Sequence, residues 1–272
     1  MPTLPSDPTA RPPHQARQVA ESFGTDPERY ERTRPRYPQA LVDQIIAASP
    51  GPDVLDVGIG TGVSARPFHA AGCRVLGVEI DPRMAEFARG RGFEVEVARF
   101  EDWDPAGRSF DALIAGMTWH WIDPPAGAAK AAAVLRPNGL LALFWNVARP
   151  PVELARAFSD VYRRVLPDTP FAAAPPDPVT AYDRLFETAS AAIQATRAFT
   201  EPERLRVDWE CSYSTEEWLD QVPTFGGHST FPPEQLAQLL SGIRTALDNA
   251  GGVFTVTYAA LAITARRRDE RP

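Results

Sequence analysis

The chain has little that would tie it to a membrane, an oxidising compartment or a nucleic acid. Only two cysteines occur, Cys73 and Cys211. They lie far apart and show no metal-ligand spacing, so neither a disulfide framework nor a metal centre is expected; buried free thiols and a cytoplasmic location are. No apolar run approaches the roughly 20 residues that a membrane span needs, and the longest, around Leu140 to Trp145, suits a buried strand. The opening Met1-Pro2-Thr3-Leu4-Pro5 lacks the basic start and apolar stretch of a secretory signal. Basic residues are not in excess: 28 Lys and Arg against 35 Asp and Glu give a net charge of −7. The one basic cluster, Arg266-Arg267-Arg268, is followed at once by Asp269 and Glu270 and reads as a solvated tail. Neither a nucleic acid nor a membrane is therefore an expected partner. No internal repeat is present.

What the chain does have is an apolar fraction of 44% over 272 residues, enough for a sizeable core. Its 28 prolines concentrate over residues 2–13, predicting a disordered tail across 1–20, and over 167–178, predicting a loop inside an insertion. Between them, apolar strands alternate with amphipathic helices. Strands are expected at 54–57, 74–80, 93–97, 110–116 and 140–145. Helices are expected at 38–48, 63–71, 82–89 and 124–135, and Pro137-Asn138-Gly139 reads as a turn. The strands are apolar on both faces, which implies a parallel sheet covered on both sides, an α/β fold. The rhythm then breaks into two helices, 152–165 and 179–190. A strand at 204–212, a capping box at Ser214 and Glu217, a long helix from Pro232 to Gly251 and a last strand at 253–264 follow.

The first strand runs into Asp56-Val57-Gly58-Ile59-Gly60-Thr61-Gly62, three glycines spaced two apart before a helix. Glycine belongs where φ is positive or where backbone must approach a ligand. A dinucleotide turn would place its third glycine one position later, where Val63 stands instead. Asp56 would also repel a pyrophosphate; it suits a ligand bearing an ammonium group, such as the methionine end of S-adenosylmethionine (SAM). Glu79, 23 residues on at the end of the second strand, can accept hydrogen bonds from both ribose hydroxyls of an adenosine. Met84, at the next helix start, fits either the adenine face or the core. In an open α/β sheet, ligands bind at the carboxyl ends of strands beside the switch in strand order. That places Gly116-Met117-Thr118-Trp119-His120-Trp121 on the same rim. His120 is the candidate general base, or it shapes the pocket through hydrogen bonds. Trp119 and Trp121 are candidate walls and Asn146 a candidate substrate contact. His228, in Phe225-Gly226-Gly227-His228, is either a second substrate contact or a surface histidine.

VLDVGIGTG (54–62), VLGVEID (75–81), FDALIAGMTWHWID (110–123) and LRPNGLLALFWN (135–146) together resemble class I SAM-dependent methyltransferases, and within them the methyltransferase type 11 group of bacterial enzymes. The resemblance covers about residues 20–146. It implies a Rossmann-like, doubly wound, mostly parallel seven-stranded sheet with helices on both faces and a helical insertion as cap. It implies one SAM-binding domain over 21–272, with 21–38 as an N-terminal cover and 147–200 as a helical insertion over the substrate site. SAM would contact Asp56, Gly58, Ile59, Gly60, Thr61, Gly62, Glu79, Ile80, Met84, Phe100, Glu101 and Gly116. Tyr30, Arg34 and Tyr37, in a lead-in like the family's, would cover the site, with Trp119, His120, Trp121, Asn146 and His228 toward a small-molecule acceptor. Relatives commonly carry an Asp after the third strand for the adenine amino group. Here Arg99 stands there, leaving Phe100 and Glu101 as the nearest substitutes. The expected activity is methyl transfer to a small molecule. The alternatives are other chemistry on a SAM-binding fold, a non-catalytic SAM-binding module, or a nicotinamide enzyme.

Overall fold

The computed structural model describes residues 13–15, 22–167, 169, 172 and 179–269; the expected N-terminal tail and proline-rich loop fall largely outside them. The described residues gather into two compact units, one drawn from 35–146, 183–207 and 260–272, the other from 1–34, 147–182 and 208–259. Among the described residues no helix is long and apolar enough to cross a membrane.

Three helices begin at Asp-Pro. Asp26 precedes α1 (Pro27–Thr33), Asp81 precedes the helix Pro82–Gly90 and Asp123 the helix Pro124–Val134. In each case the aspartate accepts a hydrogen bond from an N–H of the first turn, at 2.9 to 3.0 Å. Proline fits because the first helical position has no intrahelical partner for an N–H, and its fixed φ is already helical.

The remaining elements follow the expected alternation. α2 (Gln39–Ala48) buries Leu41, Val42 and Ile45. Then come β1 (Asp53–Val57), α3 (Ala65–Ala70), β2 (Arg74–Glu79), α4 (Pro82–Gly90), β3 (Glu94–Val97), β4 (Phe110–Gly116) and α5 (Pro124–Val134). β5 (Leu135–Arg149), α6 (Val152–Val165), α7 (Thr180–Ala195), β6 (Glu203–Ser214), α8 (Thr215–Gln221), α9 (Pro233–Asn249) and β7 (Val253–Arg266) complete the chain. The seven strands lie in the order β3-β2-β1-β4-β5-β7-β6. The first five are parallel, and β7, which follows β6 in the chain after two helices, lies between β5 and β6. The strand order switches direction between β1 and β4, the two neighbours on either side of the first βα turn.

β5 starts earlier than its apolar run predicts. The expected turn at Pro137-Asn138-Gly139 lies inside the strand. Asn138 takes φ 62°, its N–H donates to the Arg267 carbonyl at 2.9 Å, and the Gly139 carbonyl accepts from Arg267 N–H at 2.8 Å. Nearby, the Arg136 guanidinium donates to Asp53 at 2.9 Å and to Asp111 at 2.7 Å. That junction fastens the amino ends of β1, β4 and β5 at the end of the sheet opposite the glycine turn.

The other unit has its own core. Phe158, Tyr162, Trp218, Leu239, Ile243 and Tyr258 are buried in one cluster, with Phe158 stacked on Trp218. The capping box read from Ser214 and Glu217 is present at the start of α8. Asp220 holds α1 through Arg29 and Arg32, at 3.0 and 2.8 Å.

Candidate functional site

The glycine turn closes the carboxyl end of β1. Gly58, Gly60 and Gly62 all adopt positive φ, at 69°, 57° and 93°, but each is glycine for a different reason. A Cβ on Gly58 would sit 2.1 Å from the Thr118 side chain, and one on Gly62 would sit 2.6 Å from the Phe93 ring. A Cβ on Gly60 would meet nothing within 4 Å. Packing thus fixes the outer two, whereas Gly60 leaves its backbone open to whatever lies beside the turn. Ile59 is buried and packs against Gly77; its side chain belongs to the core beneath the turn.

The amides of this turn point largely inward. Gly58 N–H and Ile59 N–H donate to the Val78 carbonyl, and Gly62 N–H to the Ile59 carbonyl. Gly60 N–H donates to Glu79 Oε2 at 2.9 Å. Four amides that a pyrophosphate cradle would leave facing a ligand are taken up, which disfavours the nicotinamide reading.

Two carboxyl groups flank the turn. Asp56 is fully buried; its Oδ2 accepts from Ser64 Oγ at 2.7 Å, and its Oδ1 has no partner. Burial pushes its pKa up to about 7, against the Ser64 hydrogen bond that lowers it, with the nearby Glu79 charge adding to the rise. Glu79 is also buried, and burial raises its pKa against hydrogen bonds from the Asp81 and Gly60 amides; Asp81 N–H donates to Oε1 at 2.9 Å. Buried carboxyls displaced in this way can take up a cation or a hydrogen-bond donor. The orphaned Oδ1 fits an ammonium group, and the open face at Gly60 fits close approach of a ligand.

Around the turn, Ile80 is half-buried and Met84 is packed in α4 with 3% exposure, which favours the core alternative for Met84. Phe100 is buried with its ring 6.2 Å from Trp119. Glu101 accepts from Asp123 N–H at 3.1 Å and pairs with Arg99 at 3.6 Å. The residue standing in the adenine-acceptor position is thus held beside its neighbouring acid. Thr61 is buried.

β4 ends at Gly116, where a Cβ would meet Phe144, the Tyr37 hydroxyl and Ser64 within 3 Å. Tyr37 stands edge-on to Phe144 at 4.7 Å. Met117 follows with φ 57°, its sulfur accepting from Asn146 N–H at 3.2 Å. Thr118 Oγ1 donates toward the Gly58 carbonyl at 3.2 Å, joining this rim to the glycine turn. Asn146 Nδ2 donates to the Arg36 carbonyl at 3.1 Å. Trp119, His120 and Trp121 form a single 3-10 turn. Trp119 is buried with an unpartnered Nε1, and the His120 and Trp121 rings lie 4.8 Å apart.

The orientation of His120 decides its chemistry. Trp145 Nε1 donates to His120 Nδ1 at 3.2 Å. An indole nitrogen only donates, so Nδ1 is the acceptor and the proton of the neutral ring sits on Nε2. Nε2 is buried without a partner, and burial lowers the ring pKa to about 3. His120 presents an N–H at neutral pH, not a basic lone pair.

The residues expected to cover the site from the N-terminus divide. Tyr37 joins the rim just described. Tyr30 and Arg34 lie in the other unit: the Arg34 guanidinium sits 4.6 Å over Tyr30, 5.6 Å over Phe23 and 5.8 Å over Phe225, and it donates to the Thr224 carbonyl. The expectations for His228 need correction. It is neither a surface residue nor open to a substrate: it has 0% exposure, Nε2 is 2.7 Å from the Tyr162 hydroxyl, and Nδ1 is 3.4 Å from the Gly226 carbonyl. Both ring nitrogens are taken up in the core, because Tyr162 comes from a helix distant in sequence. Ser64 and Thr118, which complete the turn, were not singled out from the sequence. A hydroxyl two residues beyond the last glycine was the one available sign of Ser64.

Residues 55–143 match the family model described as a methyltransferase domain. The chain is similar to an uncharacterized methyltransferase of Mycobacterium tuberculosis, 28% identical over 92% of this chain and 97% of that one. A demethylmenaquinone methyltransferase of Tropheryma whipplei is 35% identical over 103 residues, 36% of this chain and 43% of that protein. A solved structure described as a candidate type II methyltransferase of Anaeromyxobacter dehalogenans covers 87% of this chain and 99% of its own at 24% identity, with a TM-score of 0.62, and speaks for the fold alone. The glycine turn and both of its carboxyl groups thus lie within the stretch that matches a methyltransferase domain.

Proposed function

We propose that the turn at residues 56–62 holds SAM and that the methyl acceptor is a small molecule. The observation that carries the reading is the unpartnered, fully buried Oδ1 of Asp56 next to the one glycine of the turn whose missing side chain leaves open space. Asp56 would hold the ammonium group of the methionine moiety, and Glu79, with lone pairs beyond the two amides it accepts, the ribose hydroxyls. Gly116, Phe100 and Glu101 would border the rest. When bound, SAM supplies an electrophilic methyl on a sulfonium, so the protein's task is alignment and exclusion of water, for which orientation can contribute on the order of 7–11 kcal/mol.

The state of His120 supports a positioning role rather than that of a base: its Nε2–H would donate to an oxygen or unprotonated nitrogen of the acceptor. The absence of a basic excess and the name of the Tropheryma relative, whose acceptor is a small molecule, both favour a small acceptor. The test is calorimetric titration with SAM, followed by a search for S-adenosylhomocysteine when candidate small acceptors are added. Saturable SAM binding and acceptor-dependent S-adenosylhomocysteine are expected. No heat with SAM would overturn the cofactor assignment; turnover only with a macromolecular acceptor would overturn the acceptor class.

A further inference from the structure

The rim at the end of β4 holds a second buried donor besides His120. Trp119 is 3% exposed, and its indole Nε1 has no hydrogen-bond partner among the described residues. A buried indole N–H usually finds an acceptor, and leaving it unmatched is costly. Two indoles nearby have found theirs: Trp103 Nε1 donates to Glu96 Oε2, and Trp145 Nε1 to His120 Nδ1 at 3.2 Å.

The Trp119 ring is seated from two sides. A Cβ on Gly127 would lie 2.5 Å from Ile122 and 3.3 Å from Trp119 Cζ2, so the missing side chain lets α5 lie against the edge of the indole. The Phe100 ring stands 6.2 Å away on another side. His120, the next residue, turns instead to Trp145 of β5. Successive side chains of a 3-10 turn project about 120° apart, and these two divide: Trp119 meets the segment that follows β3, and His120 meets β5. In the sheet, β3 and β5 lie on opposite sides of the β1–β4 switch.

The connectivity of SAM selects what can reach Trp119, given the cofactor reading proposed above, on which this inference rests. With the ammonium group at Asp56, at the end of β1, and the ribose at Glu79, at the end of β2, the nucleobase comes next in the same direction across the sheet. That brings it beside the segment after β3 that carries Phe100. The edge of an adenine offers ring nitrogens that accept and one amino group that donates, whereas an indole nitrogen only donates. We propose that Trp119 Nε1–H donates to a ring nitrogen of the SAM adenine. Trp119 is then a cofactor-binding residue rather than a wall of the acceptor site, and the acceptor is left to the His120 side.

Calorimetry with S-adenosylhomocysteine, which carries the same nucleoside, tests this without turnover. The other probes are three analogues in which N1, N3 or N7 of the base is replaced by C–H. With the wild-type chain, one analogue should bind about tenfold more weakly than the parent, because the buried N–H loses its acceptor. Trp119→Phe keeps an aromatic ring and lacks the N–H. It should bind the parent about three- to tenfold more weakly than wild type does, and the disfavoured analogue within about twofold of the parent. Should Trp119→Phe not fold, the wild type answers alone: in a chain with isotope-labelled tryptophan, the Trp119 indole N–H resonance should move downfield with the parent and not with that analogue. If no analogue's loss depends on Trp119, or if the resonance responds alike to all four ligands, the proposal is overturned and the cofactor assignment stands. Absence of any S-adenosylhomocysteine binding overturns both.

Discussion

Glu79 receives a backbone hydrogen on each carboxylate oxygen, from Gly60 and from Asp81, so it holds the turn in shape from the end of β2. This makes glutamine a poor substitute, since its NH2 group would confront one of those N–H donors. Glu79→Gln should weaken SAM binding by roughly 1–3 kcal/mol, the cost of leaving a buried donor unmatched; a calorimetric Kd within about twofold of wild type would count against it. Asp56 makes the opposite trade. Its carboxyl is raised from 3.8 to about 7, so its contribution to stability is fully present below the unfolded value of 3.8 and is lost as pH rises through about 7. Asp56→Asn should therefore raise the melting temperature of the ligand-free protein at pH 8, and less so at pH 5, each kcal/mol being worth about 2–4 °C at around this chain length. The same variant should lose SAM affinity. A melting temperature that is unchanged at pH 8 would mean that the buried charge is not the liability inferred. For His120, an N–H donor role means that His120→Asn, which can still accept from Trp145 and donate, keeps activity within about tenfold, while His120→Ala loses more. Because the ring pKa lies near 3, the pH–rate profile should show no His120-dependent ionisation between pH 5 and 8. An ionisation near 6.5 that disappears in the variant would restore the base.

The glycine turn separates at the level of the element what the sequence shows as three equivalent residues. Gly58→Ala should destabilise the fold, because the new Cβ meets Thr118 at 2.1 Å and the positive φ adds strain. Gly60→Val meets no protein atom, so its cost to the fold should be mainly backbone strain, on the order of 1–2 kcal/mol, while SAM binding is abolished. Thermal melting paired with titration checks both; normal affinity in folded Gly60→Val would show that the ligand does not approach there. The alternation of strands and helices is legible because elements carry their own signals: apolar runs for β1, β2 and β4, and the Ser214–Glu217 box for α8. What was not legible depends on distant partners. Nothing local to His228 announces Tyr162, 66 residues away, and nothing around His120 fixes its tautomer until Trp145 comes beside it. The early start of β5 is not legible, because Pro137-Asn138-Gly139 carries turn chemistry, which Arg267 accommodates in the ladder.

For the whole molecule, the proposed SAM cradle and His120 are drawn from one compact unit, 35–146 with its later segments, and the family match at 55–143 falls inside it. The family match and the proposed cradle therefore draw on the same stretch of sequence. The junction of Arg136 with Asp53 and Asp111 sits at the end of the sheet away from the glycine turn. Changes there load the scaffold and leave the surroundings of the ligand alone, so the two ends of one sheet can drift for different reasons, one for endurance and the other for what the chain acts on.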